Sequence, residues 1–502
     1  MMTAKQQSFN KNLSSLLDGV LVLPAEYDVE IRDLVIDSRH IQQGDVFVAV
    51  NGDGVNGINY IDSAIAAGAV AVLWEAQVDA IPYAWSTANK DVPLIAIINL
   101  KQLLGQLANS LYNSPSETLD IVGVTGTNGK TSCVNFIAQA LGSENPCGLI
   151  GTLGTGIYPD ISVGSHTTPD VLTLHKTLAG FVENKAKYSA IEVSSHALAQ
   201  GRIDAVHMDV AIFTNLTQDH LDYHGSMQAY LYEKAKLFQL SILKTAIINV
   251  NDPHGMDIVQ AANGKNIITY GIDESINSPD IYASNIQYHA DNTEFDLNTK
   301  QGSISISSSL VGDFNISNLL AVCAYLQTQR FSLPEISERI KRINPVEGRM
   351  QKIQAKGFPL VVVDYAHTPD ALEQVLKTLS SQFKGNLTCV FGCGGERDKG
   401  KRKLMGEIAD TYSDKIILTS DNPRTESADD IVMQINQGIG NKKKVIIELD
   451  RKNAILKAIK NTNVSGCVLI AGKGHENYQM IDDKKFDFSD AAVASALLSE
   501  KK

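Results

Sequence analysis

The run Gly123-Val124-Thr125-Gly126-Thr127-Asn128-Gly129-Lys130-Thr131 follows the apolar stretch Leu119-Asp120-Ile121-Val122 and opens a helical pattern over 132–141. Strand, glycine loop and helix in that order make a phosphate-binding turn, and they commit the surrounding chain to a sheet with crossover helices. Glycines let backbone N–H groups close around phosphate oxygens, and the helix N-terminus adds positive potential. Lys130 can reach the β and γ phosphates of a nucleoside triphosphate, and the Thr131 hydroxyl can ligate Mg²⁺. The match has one defect. The general pattern places a glycine five residues before Gly129; Val124 stands there, flanked by Gly123 and Gly126. A chance Gly-Lys-Thr in a turn is the bland alternative, and the flanking strand and helix speak against it.

The length of 502 residues favours about three domains, each large enough for its own core. A formal charge of −12 argues against coating nucleic acid or an anionic membrane, since both need a basic surface. Anionic small ligands remain open, because they need only local positive clusters. The segment Met1 to Asn12 is polar, and no uninterrupted apolar run approaches the ~20 residues of a membrane span. Neither a secretory signal nor membrane insertion is expected, and the location expected is cytoplasmic. The six cysteines (Cys133, Cys147, Cys323, Cys389, Cys393, Cys467) show no Cys-x-x-Cys pairing, so they are expected as buried thiols, not disulfides or zinc ligands.

Short β-rich runs at 31–37, 46–50 and 69–73 surround a helical stretch at 61–67, which predicts a small α/β amino-terminal domain over 1–98. A strand-like run at 95–100 passes into a helical pattern over 101–112. From Leu119 onward, apolar runs at 121–124, 189–193, 210–213 and 246–250 alternate with helical stretches, which predicts a central parallel-sheet domain with the phosphate loop over 99–342. Residues 280–310 turn period-two and Ser-rich, an antiparallel patch or sheet edge, and a Pro/Gly hinge is expected over 342–348. The alternation restarts at 360–364, 387–391, 415–419, 445–449 and 467–470, predicting a Rossmann-like, doubly wound third domain over 343–502. Ligands of open parallel sheets gather beyond the carboxyl ends of the strands, so loops 364–367, 392–399, 421–424 and 472–476 are expected on one face.

In the central domain, Glu192 ends a strand where it can join Thr131 around Mg²⁺, since oxygen ligands suit this hard cation, though a strand-end acid also caps turns. The loop Asn215 to Gly225 is dense in His and Asp. It can hold a metal or a substrate, or be merely polar. Several spaced motifs then fall in order: Thr125 to Thr131, Glu192-Val193-Ser194-Ser195-His196, Asn215-Leu216-Thr217 with Asp219-His220-Leu221-Asp222, and Gly312-Asp313-Phe314-Asn315 with Asn318. Together they resemble the Mur ligase family, whose members use ATP to join an amino acid to a UDP-linked peptidoglycan precursor.

That resemblance spans about residues 37–476 and implies roles for particular residues. ATP would be held by Gly126, Thr127, Asn128, Gly129, Lys130 and Thr131, with Asn318 facing adenine and Arg349 and Asp364 near ribose or phosphate. The metal ligands implied are Thr131, Glu192, His220 and a carbamylated Lys234, nine residues beyond Gly225; Lys236 is its rival. The catalytic set implied is Lys130, His220 and Lys234. Contacts to the UDP-N-acetylmuramoyl-dipeptide are implied for Ser38, Thr167, Thr168, Ser194, Gln200 and Arg202. Asp421-Asn422-Pro423-Arg424 is similar to the signature of the ligase adding the third peptide residue in its meso-diaminopimelate form. Arg397, Asp421, Asn422, Arg424, Gly472 and Glu476 would then bind that amino acid. An Arg fork suits the distal carboxylate of diaminopimelate and repels the ammonium of lysine, while Glu476 can pair with the distal ammonium.

Two departures stand out. Asn56-Gly57-Ile58 occupies a place where many relatives have Asp-Gly-His, and Glu347 precedes Gly348-Arg349 where proline is usual. The implied chemistry is transfer of a γ-phosphoryl group to a substrate carboxylate, then attack by an amine; no partner subunit is required and a monomer is expected. A lysine-specific form is the first alternative. Folylpolyglutamate synthetase, another, shares the loop style, the modified lysine and the acyl phosphate, but lacks the nucleotide-sugar domain that precedes the loop here. A regulatory ATP switch or transport ATPase would explain the loop alone, not 421–424 or 472–476.

Overall fold

The computed structural model describes residues 11–52, 55–77, 83–86, 91–142, 145–164, 166–289, 292–482 and 484–499; most of the polar first segment noted above lies outside them. The described residues of Met1–Ile121, Asn145–Ser189 and His196–Asp209 form one compact unit, and those of Val122–Glu144, Ala190–Ser195 and Val210–Lys502 form a second.

In the first unit a five-stranded sheet runs in the order Asp33–Val35, Asp45–Ala49, Ala71–Ala76, Pro93–Ile98, Tyr83–Trp85. The first four are parallel and Tyr83–Trp85 is antiparallel. Successive side chains of a strand face opposite ways. Val46 and Val48 therefore pack toward helices Leu100–Leu111 and Val171–Glu183, while Phe47 and Ala49 pack toward helix Ile61–Ala66. Three short antiparallel strands, Cys147–Gly151, Gly154–Ile157 and Asp160–Ser162, also belong here. The sequence pattern did not announce them, because their glycines blur the period-two signal.

Among strands lying wholly or mostly in the second unit, Tyr188–Glu192, Asp120–Thr125, Val210–Phe213, Thr245–Asn249, Asn266–Gly271, Ile281–Tyr288, Thr293–Thr299 and Gly302–Ser308 lie side by side in that order. Pairing is parallel from Asp120–Thr125 to the start of Ile281–Tyr288 and antiparallel beyond. The Ser-rich stretch is thus the antiparallel edge expected of it. Asn266–Gly271 is not marked by a continuous apolar run: Asn266 is exposed and the next three residues are only partly covered. A further six-stranded sheet runs Gln351–Ile353, Leu360–Asp364, Cys467–Ala471, Leu387–Phe391, Lys415–Leu418, Val445–Ile447. All but Gln351–Ile353 are parallel. One face packs on helices Pro369–Gln382, Gly400–Tyr412 and Ala428–Asn436, the other on Arg451–Asn461 and Asp490–Ser499, a doubly wound arrangement. The last strand in sequence, Cys467–Ala471, inserts between Leu360–Asp364 and Leu387–Phe391, and the loops after Asp364, Phe391, Leu418 and Ala471 leave the same edge. The six cysteines are free and buried, as expected.

Candidate active site

The phosphate loop shows why Val124 is tolerated. Val124 is fully buried inside the strand Asp120–Thr125, before the turn begins. Glycine is demanded instead at Gly126 (φ 155°) and Gly129 (φ 88°). A Cβ at Gly126 would lie 1.9 Å from Thr214 Oγ1, and one at Gly129 would lie 2.6 Å from Asn318 Oδ1. The loop is braced by its neighbour: Thr127 N donates to Asn215 O (2.9 Å), Asn128 N to Asn215 Oδ1 (2.8 Å), and Thr214 Oγ1 to Asn128 O (2.6 Å). Asn318, on helix Asp313–Thr328, thereby abuts the loop, with its Oδ1 3.5 Å from Cys133 Sγ.

Lys130 folds back on the loop, its Nζ donating to Gly126 O and Thr127 O at 2.8 Å each. The protein packed around this half-buried side chain lowers its pKa, with Glu192 and Asp219 opposing and Arg349 reinforcing. Thr131 Oγ1 donates to Glu192 Oε2 (3.1 Å) and accepts from Arg349 Nη2 (3.1 Å). Arg349 also lies over the Tyr365 ring, 4.3 Å from its centroid. Asp364 is buried; burial raises its pKa, against the pull of Arg349 and the amides of Met350 (2.7 Å) and Ala366 (2.8 Å). Asn128 Nδ2 reaches Asp370 Oδ2 (3.0 Å), so the phosphate loop touches the first turn of helix Pro369–Gln382.

Lys234 and Lys236 share helix Met227–Gln239 but not an environment. Lys236 is paired with Glu233 at 2.7 Å on the partly exposed side. Lys234 is 1% exposed, donates to Gly126 O at 2.8 Å and lies 4.5 Å from the Tyr230 ring centroid. Burial drives its pKa well below the ordinary lysine value, nearby Lys130 adds to the fall, and Asp219 opposes it. Burial thus favours the neutral form of the amine, the form that captures CO₂. His220 Nε2 is 3.3 Å from Asp219 Oδ2, and the same carboxylate meets His367 Nε2 (3.5 Å) and Lys401 Nζ (3.7 Å). Burial would raise the pKa of Asp219, but His367, Lys401 and His220 hold it well below the usual carboxylate range. The sequence places Asp219 and His367 only within loops that could hold a ligand and singles out neither them nor Lys401; folding assembles the three.

Among the described residues no group of three His, Cys, Asp or Glu side chains gathers as a ready metal cluster. The contact of Thr131 Oγ1 with Glu192 Oε2 nonetheless sets two oxygen donors side by side, a pair that fits Mg²⁺. Lys234 contributes a nitrogen donor as it stands, and an oxygen ligand only as a carbamate.

In the first unit, Arg202 draws together three of the implied precursor contacts: Nε and Nη2 donate to Gln200 Oε1 (2.9 and 2.6 Å) and Nη1 to Thr168 O (2.7 Å). Thr167 Oγ1 lies 3.0 Å from Thr152 Oγ1. Ser38 opens a 3-10 turn capped by Asp37, whose pKa falls to about 2 beside Arg39. Ser194 sits in the second unit, two residues past Glu192. Asn56 caps its own turn by accepting from Ile58 N (3.0 Å).

At the carboxyl edge of the last sheet, Arg424 has φ 52° and donates from Nη1 to Gly395 O (2.6 Å). Arg397 is exposed, and Asp421 is buried, its Oδ2 4.0 Å from Arg451 Nη1. A Cβ on Gly472 would fall 2.6 Å from Asp421 Oδ2, so glycine is needed there. Asn422 Nδ2 donates to Glu476 Oε2 (2.9 Å), uniting two of the predicted residues. The same oxygen accepts from Lys473 Nζ (2.9 Å), a partner the sequence had not indicated.

The Mur ligase middle domain family matches residues 124–326, the glutamate ligase domain of Mur ligases 348–474, and the Mur ligase catalytic domain family 30–112. The chain is 44% identical over 482 residues to UDP-N-acetylmuramoyl-L-alanyl-D-glutamate--2,6-diaminopimelate ligase of Xylella fastidiosa (strain 9a5c), covering 95% of this chain and 96% of that protein. A solved structure of a ligase with that name aligns with a TM-score of 0.69 at 33% identity, over 97% of this chain and 99% of the other. The MurF ligase of Thermotoga maritima in complex with ADP shares the fold, with a TM-score of 0.64 at 18% identity over 89% and 95% of the two chains.

Proposed function

The chain belongs to the Mur ligase family, and on that premise we propose that it joins meso-2,6-diaminopimelate to UDP-N-acetylmuramoyl-L-alanyl-D-glutamate at the expense of ATP, releasing ADP. The observation that carries this function is the near full-length likeness to a ligase named for that reaction.

In this mechanism the loop 126–131 cradles the triphosphate, and Lys130 leaves the carbonyls of Gly126 and Thr127 to follow the β and γ phosphates. Thr131 and Glu192 would hold one Mg²⁺, and His220 with carbamylated Lys234 a second, where the metal would supply neutralisation of phosphoryl charge. Neutral Lys234 forms its carbamate by attack of Nζ on CO₂ with loss of a proton. The D-glutamyl carboxylate takes the γ-phosphoryl group, giving an acyl phosphate and ADP. The amine of the incoming amino acid then displaces phosphate. Positioning and charge stabilisation suffice for these steps, so no protein nucleophile is needed. Asn318, Arg349 and Asp364 would place the nucleoside end of ATP. Ser38, Thr167, Thr168, Ser194, Gln200 and Arg202 would hold the precursor, and Arg397, Asp421, Asn422, Arg424, Gly472 and Glu476 the amino acid.

The segments 1–98, 99–342 and 343–502 then correspond to the precursor, ATP and amino-acid domains of a cytoplasmic monomer without a nucleic-acid partner. No helix among the described residues is long and apolar enough to cross a membrane. The test supplies the UDP-linked dipeptide, ATP and Mg²⁺ with either meso-diaminopimelate or L-lysine and reads product mass and ADP. Diaminopimelate is expected to be joined, with ADP released only when both co-substrates are present. Joining L-lysine alone would reassign the specificity, and joining neither would defeat the proposal.

A further inference from the structure

Lys473 is as buried as any charged side chain in the protein, at 0% exposure, yet it lies in the loop between Gly472 and Glu476. Its Nζ bonds Glu476 Oε2 (2.9 Å) and Asn422 Oδ1 (3.1 Å), and Asn422 Nδ2 closes the triangle on Glu476 Oε2 (2.9 Å). Asn422 Oδ1 also accepts from Met480 N (3.0 Å), and the Tyr478 ring centroid is 5.4 Å from the ammonium. These bonds orient the Asn422 amide unambiguously: oxygen toward the ammonium and the Met480 amide, nitrogen toward the carboxylate. Both donors converge on Oε2 of Glu476, and no described residue donates to Oε1. A buried lysine is costly unless it is paired, and this one is paired with a residue that the proposed function assigns to the amino-acid substrate.

We propose that Lys473 is a positioning and specificity residue of the amino-acid site: it pins Asn422 and Glu476 in one geometry and cancels the charge of Glu476. The inference rests on the amino-acid role proposed above. With its charge balanced, Glu476 offers Oε1 to an incoming ammonium as a hydrogen-bond acceptor, without the long-range pull of a bare buried anion. That distinction sorts the two candidate amino acids. The distal end of diaminopimelate carries an ammonium and a carboxylate, net zero, and gains from the Arg424 fork. The distal end of lysine carries only an ammonium, so it would gain most from an uncompensated carboxylate, and Lys473 removes that gain. In a low-dielectric loop such charge balance weighs more than it does in water.

Two variants in the full-length enzyme test this, read as kcat and KM for ATP and each amino acid, and as product mass from an equimolar mixture of meso-diaminopimelate and L-lysine. Lys473→Gln keeps a hydrogen-bond donor and loses the charge. It is expected to raise KM for diaminopimelate about tenfold, the loss of one charge-assisted hydrogen bond, with KM for ATP unchanged. The preference for diaminopimelate over L-lysine should narrow by a similar factor. Glu476→Gln, at a half-buried side chain, leaves Lys473 uncompensated and should move that preference the other way, penalising L-lysine more than diaminopimelate. Opposite movements establish the charge-balance role. Equal losses for the two amino acids in Glu476→Gln, or a folded Lys473→Gln enzyme that keeps the wild-type preference, overturn it. Wild-type enzyme that joins neither amino acid would instead defeat the substrate reading beneath it.

Discussion

Lys234 and Lys473 are both buried, at 1% and 0% exposure, and each lies near a tyrosine ring, yet their immediate surroundings differ. The hydrogen bond described for Lys234 goes to a carbonyl, Gly126 O, and another lysine, Lys130, acts on it. Lys473 faces a carboxylate at 2.9 Å. Burial without an adjacent anion disfavours the ammonium and leaves a nucleophilic amine; burial against an anion makes a fixed charge pair. The first suits a lysine awaiting CO₂, the second a lysine that shapes a binding site. What separates them is the neighbour supplied by the fold, not the residue type.

The largest effect should come from removing the reactive amine. Lys234→Ala is expected to lower kcat by about 10²-fold or more, the scale of several kcal/mol for a lost metal ligand, with partial return in added short-chain carboxylate. Lys236→Ala, at the paired surface lysine, should leave kcat nearly unchanged, and full activity in Lys234→Ala would break the contrast. Next in size is the amino-acid end. Arg424→Ala should raise KM for diaminopimelate about ten- to a hundredfold, the range for charge-assisted hydrogen bonds, and KM for ATP far less. Equal changes in both constants would detach Arg424 from specificity.

The smallest effect is on stability. The pKa of unmodified Lys234 is lowered on folding, so the unfolded chain binds the extra proton between the folded value and about 10.5. Stability contributed by this site therefore rises with pH across that window and is lost as pH falls through it. Lys234→Met should raise the midpoint of thermal unfolding in CO₂-free buffer and flatten its rise with pH by calorimetry. An unchanged or lowered midpoint would mean that the amine is compensated.

Much of the site was legible before folding because its chemistry is local. The glycine loop, Glu192 at a strand end and the carboxy-terminal loops all occur where chain direction alone places them at the ends of parallel strands. Val124 looked like a defect in sequence and is none, because the strand still continues there and the tight turn starts two residues later. The choice between Lys234 and Lys236 came from a family register, and burial gives it an independent physical reason. Asp219 was one acid among several in a polar loop. Its convergence with His367 and Lys401 depends on residues more than a hundred positions away, which no local pattern encodes.

By itself the sequence determined the alternating strand and helix order, the phosphate loop and the charged residues available at each strand end, because these follow from periodicity and short-range spacing. Tertiary structure alone decided which charges meet. It set one buried lysine against a backbone carbonyl and gave another a carboxylate, since pKa and pairing depend on neighbours brought together by packing, not by sequence.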